Sequence, residues 1–184
     1  AGINLRGLIR VMLFKRFESS VYAFQESLRR LHLIHVKFLA ALDQGFVPAG
    51  DEAQALMYES DQYDDGDLMD ALRACSGKYA LADFNEKDLR EHIEADRDLL
   101  AQMMKLVGPI TPDKDAKLQT LIDKLKKAIP KATGKVLIFT QYADTAKYLY
   151  GNLNPKDRHK DIESIYGTDK SKARMARSEE HTSE

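Results

Sequence analysis

Lys135–Leu153 reads KVLIFTQYADTAKYLYGNL, and its pattern decides the expected fold. Val136, Leu137, Ile138 and Phe139 form an unbroken apolar run that suits a strand buried on both faces of a parallel sheet. Ala146, Leu149, Tyr150 and Leu153 then recur at i, i+3, i+4 and i+7, so a helix with one apolar stripe should follow and lie back on that strand. Strand then helix is the opening of an α/β unit. In open α/β sheets ligands sit beyond the carboxyl ends of the strands. That places Thr140, Gln141 and Tyr142, a hydroxyl, an amide and a phenol, at the candidate binding edge. A polar strand-to-helix turn with no ligand gives the same pattern.

Towards the N-terminus the pattern is helical. Apolar residues from Leu5 to Leu42 step by three or four positions, which predicts one long helix or two nearly collinear ones, with Gly45 and Pro48 supplying the stop. Lys15 and Arg16 lie on it, as phosphate contacts or as part of a solvated face. His32 and His35 share a helical spacing, yet no cysteine or further His or acid partner accompanies them, so an incidental pair is expected and no metal site is assigned. A second helix should run from about Glu86 to Val107 with Asn85 as its N-cap. A third should start at Thr111–Pro112, carry the stripe Leu118, Leu121, Ile122, Leu125 and Ile129, and end at Pro130. Its other face is rich in lysine. Ile162–Tyr166 alternates and is the expected second strand.

Three stretches resemble the Swi/Snf class of superfamily-two helicases and translocases: Leu8–Phe24, LIRVMLFKRFESSVYAF; Asp113–Leu125, DKDAKLQTLIDKL; and Lys135–Leu153. In that class a lysine-led apolar strand ending in phenylalanine, a small hydroxyl residue, glutamine and an aromatic opens the second RecA-like lobe. The resemblance implies a mostly α chain followed by a truncated α/β unit, the start of a RecA-like parallel sheet. Residues 1–110 would be a helical region beside the lobes, and 111–176 a linker helix and the start of the C-terminal lobe. It also implies contact with DNA, double-stranded by the class, through Thr140, Gln141, Tyr142, Lys15 and Arg16. Gly167 and Arg174 fit weakly the glycine and arginine that follow the class's second strand. ATP and Mg²⁺ are implied for the parent protein. This chain has no G-x-x-x-x-G-K-[ST] phosphate loop, no Asp-Glu pair after an apolar strand and no Arg-rich finger segment. No cofactor is therefore expected on the chain itself, no catalytic residue is assigned, and it should not hydrolyse ATP alone.

Composition is that of a globular chain, with 184 residues, 43% hydrophobic and 31% charged. The apolar runs fall far short of the roughly 20 residues that span a bilayer, and no signal-peptide layout opens the chain, so no membrane partner is expected. Cys75 is the single cysteine, which rules out an internal disulfide and suits the cytoplasm. The net charge of −1 hides an asymmetry: residues 1–42 carry seven Lys or Arg against two acids, and residues 43–70 carry nine acids and no base. Within the acidic stretch, Asp61–Asp67 has the composition of a calcium loop but puts its acids out of step with the alternate ligand positions and lacks the closing Glu. A solvated acidic loop before a helix near Leu68–Cys75 is expected instead. Arg177–Glu184, RSEEHTSE, resembles the in-frame translation of a short-read sequencing adapter and is set apart from the fold, which implies a natural sequence that was cut near Ala176.

Two functions follow from different classes. One is an internal piece of an ATP-dependent nucleic-acid translocase, contributing inter-lobe helices and a backbone-contacting loop. The other is a non-catalytic helical protein-interaction module.

Overall fold

The structure, a computed structural model, describes residues 2–58, 65–76, 81–131 and 134–165. Among the described residues seven α-helices follow one another: α1 (Gly2–Ser19), α2 (Val21–Asp43), α3 (Asp51–Tyr58), α4 (Asp65–Ser76), α5 (Glu86–Val107), α6 (Ala116–Ala128) and α7 (Ala143–Leu153). The chain divides into two compact units. Unit 1 is Ala1–Glu26 with Gly108–Glu184, and unit 2 is Ser27–Val107.

The long N-terminal periodicity becomes two helices because Ser20 caps the second. Its hydroxyl accepts the Ala23 amide at 3.0 Å, the Ncap-to-N3 bond that satisfies an orphan donor. Helical bonding still passes through it, from the Ser20 amide to the Arg16 carbonyl at 3.1 Å and from the Phe24 amide to the Ser20 carbonyl at 3.2 Å. At the far end α2 closes in a Schellman motif. The Phe46 amide reaches the Ala41 carbonyl and the Gly45 amide the Leu42 carbonyl, with Gly45 at φ +81°, a backbone region open to glycine.

Unit 2 packs on two faces of α2. Ala41 joins Phe46, Ala53, Met69 and Leu72 in one cluster, while Leu39, Leu42 and Val47 gather Leu81, Leu89 and Ile93 in another. The Arg73 guanidinium covers the Phe46 ring at 5.3 Å and donates to the Gln44 side chain at 2.9 Å. Arg90 of α5 pairs with Asp43 at 2.8 Å, and that partner raises its pKa. Asn85 caps α5 as expected, its side chain accepting the Asp88 amide at 3.4 Å and donating to the Asp88 carboxylate at 2.7 Å. His35 bonds the Leu31 carbonyl through Nδ1 at 2.7 Å. Part of the acidic stretch, Asp65–Asp67, lies in α4, and residues 59–64 lie outside the described residues.

Unit 1 overturns the expected start of a RecA-like sheet. Among the described residues neither Lys135–Thr140 nor Ile162–Ile165 is strand, and there is no sheet; Tyr166 lies outside the described residues. A strand is stable only when a neighbour takes up its backbone donors and acceptors and covers its side chains. Here the apolar run is uncovered, with Leu137 71% and Phe139 90% exposed against 42% for both Val136 and Ile138. That alternation has the period of extended chain, and both faces remain exposed. The α6 start also moves. Thr111 and Pro112 form a turn whose carbonyls take the Lys114 and Asp115 amides, and Asp115 is the cap. Residues 177–184 lie outside the described residues.

Candidate functional site

The node of unit 1 is polar. In α7 the buried residues are Asp144 and Thr145, whereas the stripe Ala146, Leu149, Tyr150 and Leu153 is only partly covered. Thr145 Oγ1 lies 2.7 Å from Ser19 Oγ and 2.9 Å from Ser20 Oγ, so the end of α1 and the first turn of α7 share a chain of hydroxyls. With Ser20 Oγ already accepting the Ala23 amide, a consistent proton order runs from Ser20 to Thr145 to Ser19. Ser19 Oγ also lies a long 3.4 Å from Thr140 Oγ1, and either hydroxyl can be the donor.

The α6 cap ties in a third segment. Asp115 is 4% exposed; its Oδ1 accepts the Lys117 and Leu118 amides at 3.0 Å each, and its Oδ2 accepts the Tyr148 hydroxyl at 3.1 Å. Tyr148 in turn stacks flat on Tyr22, with ring centroids 5.1 Å apart and 3° between planes. Burial first, then the Asp115 charge and its hydrogen bond, push the Tyr148 phenol well above its ordinary pKa. Lys117 Nζ donates to the Glu18 and Ser19 carbonyls, closing the open C-terminal end of α1.

Around this node lies a cleft of about 490 Å³. Lys15, Ser19, Thr140 and Gln141 line it, with Phe139 at its margin and Leu118, Leu121 and Leu149 supplying apolar wall. Three of the residues singled out in the sequence, Lys15, Thr140 and Gln141, are thus brought together. Arg16 and Tyr142 are not among the lining residues. Arg16 donates to Asp144 at 2.8 Å and stacks over the Tyr142 ring at 4.2 Å, so the two are occupied with each other and with Asp144. Gly167 and Arg174 lie outside the described residues.

Sequence reasoning missed Ser19, Ser20, Asp115, Asp144, Thr145 and Tyr148. The cap had a legible signal, since Asp115 stands three residues before Leu118, the first residue of the α6 stripe, where a cap belongs. The hydroxyl chain had none, because Ser and Thr at those places are equally at home in water.

Asp115 has both oxygens committed, and among the described residues no group of three His, Cys, Asp or Glu could hold a metal. Among the described residues no helix is long and apolar enough to cross a membrane. Compared with known protein families, curated proteins and solved structures, the chain shows no match to any of them. The resemblance of the three segments therefore rests on their own residues.

Proposed function

We propose that the chain is a piece of an ATP-dependent nucleic-acid translocase of the Swi/Snf class, acting in the cytoplasm, and that the cleft of unit 1 holds a sugar-phosphate backbone. One observation carries this reading. The three segments that resemble the class, far apart in sequence, meet at a single node: Ser19 and Ser20 from the first, Asp115 and Lys117 from the second, Thr145 and Tyr148 from the third. A resemblance scattered over unrelated surfaces would carry no such weight.

The chemistry offered to a ligand also suits phosphate, which only accepts hydrogen bonds. Lys15 brings an ammonium, Gln141 an amide and Ser19 a hydroxyl to one cleft. Contacts of that kind position a nucleic acid without reading its sequence. ATP hydrolysis belongs to parts of the parent that lie outside this chain, since positioning by a phosphate loop, metal carboxylates and an arginine finger is nearly the whole of phosphoryl transfer.

The alternative, a non-catalytic interaction module, has its own support in unit 2, which has two core clusters of its own and leaves Leu99 and Leu106 of α5 55% and 78% exposed. A titration of labelled DNA at several salt concentrations separates the two. The translocase reading expects Gln141→Ala to weaken binding by a similar factor on unrelated sequences. It also expects Lys15→Gln to lower the salt slope by about 0.7–0.9, one phosphate contact. Variants matching the wild type in affinity and slope would remove the nucleic-acid reading and leave the interaction module.

A further inference from the structure

We propose that the cleft takes a single strand of nucleic acid, with one unpaired base stacked on the face of Phe139 and the neighbouring phosphate held by Lys15, Ser19 and Gln141. This rests on the nucleic-acid reading above, and it departs from the duplex that the resemblance implies.

Phe139 is the starting point. At 90% exposure it is more open than any other large apolar side chain among the described residues, and it lines the same cleft as the three donors. It stands two residues before Gln141, so its ring and that amide are set by about 7 Å of extended chain. A base and the phosphate of its own nucleotide are separated by a comparable span. Every base presents a π face to an aromatic ring, which makes such stacking tolerant of sequence. Inside a duplex that face is already covered by the next base pair, and exposing it means prying a base step apart at a cost of a few kcal/mol, which an already unpaired base does not ask for.

Charge favours the single strand as well. Lys15 and Lys117 are matched at the cleft by Glu18 and Asp115, and Lys117 is spent on the Glu18 and Ser19 carbonyls. Duplex DNA carries one charge per roughly 1.7 Å of axis and asks for many cations, which this cleft does not offer. Stacking asks for none. The size agrees, because about 490 Å³ lies in the range of clefts that enclose a small ligand, enough for a base but not for a turn of duplex. Leu121 and Leu149, partly exposed in the cleft, give that base an apolar bed.

The test is an anisotropy titration of the full chain with three labelled polymers of equal length: a single strand, the same strand made abasic, and its duplex. Phe139→Leu keeps an apolar side chain and removes the ring, while Phe139→Tyr keeps the ring. Phe139 is nearly free of the fold, so unchanged far-UV circular dichroism is expected for both variants. The proposal expects Phe139→Leu to weaken the single strand by between about five- and 150-fold, the range for one stacked base, with Phe139→Tyr near the wild type. It expects the wild type to bind the abasic strand as weakly as Phe139→Leu binds the intact one, with no further loss when the two changes are combined. Equal binding of the single strand by wild type and Phe139→Leu would overturn it, as would an equal loss on the abasic strand. In either case a persisting effect of Lys15→Gln would leave the backbone reading in place. If none of the three polymers bound the wild type, both readings would fall together.

Discussion

Replacing Asp115 by alanine should cost unit 1 about 2–3 kcal/mol, and the structure says where that energy goes. Loss of an N-cap carboxylate typically costs about 1 kcal/mol, here the two bonds to the Lys117 and Leu118 amides. The bond from Tyr148 to a charged acceptor is worth about 1.5–3 kcal/mol in general, and the lower end applies because a partly exposed phenol can turn to water. Tyr148→Phe alone should then cost about 1–2 kcal/mol while keeping the stack on Tyr22. In a double-mutant cycle the pair should show a coupling of about 1–2 kcal/mol, since the phenylalanine change has nothing left to remove once Asp115 is gone. Urea denaturation followed by far-UV circular dichroism reads each variant, and the change in near-UV tyrosine signal between wild type and variant reports the ring stack with no tryptophan contribution, because the chain has none. Additive single effects, with coupling under about 0.5 kcal/mol, would refute the view that α6 and α7 are joined through this bond.

Two further outcomes follow from the same node. The Tyr148 phenol holds its proton in the folded state to a higher pH than in the unfolded chain, so its contribution is complete below about pH 10 and stability should fall as pH rises beyond that. The chain has seven other tyrosines, so the reading is the difference in urea midpoint between wild type and Tyr148→Phe from about pH 8 to 11, which should narrow as pH rises. Thr145→Val keeps the side-chain shape but deletes the hydroxyl shared by Ser19 and Ser20. Two bonds worth about 1 kcal/mol each are lost and the Ser20 proton is left buried, for a cost of about 2–3 kcal/mol, and a midpoint equal to wild type would show that the hydroxyl chain is not holding α1 to α7.

The helices were legible because their signals are local. The α5 start at Asn85, the stop at Gly45 and the stripe of α6 each follow from a cap, a glycine or a 3.6-residue period contained in a few turns. The run Val136–Phe139 misled because a strand is not a local object: apolar sequence states a preference for burial, while pairing depends on a second segment, and none is in place among the described residues. The period-2 exposure of those residues preserves the extended geometry without the sheet. For the site, Thr140 and Gln141 were singled out as polar residues at the expected strand end and Lys15 as a base on the N-terminal helix, and the structure brings the three to one cleft, whereas Arg16 is drawn to Asp144, a buried acid whose position no spacing rule gives. Ser19, Ser20 and Thr145 matter through mutual distances across more than a hundred residues, and such distances are properties of the fold alone.

The most direct test of the nucleic-acid reading is an NMR titration of the labelled chain with an oligonucleotide. The account predicts that amides of Lys15–Ser20, of Asp115–Leu118 and of Phe139–Thr145 shift together along one binding curve, while those of unit 2 hardly move. Shifts confined to unit 2, or separate curves for the three segments, would contradict it.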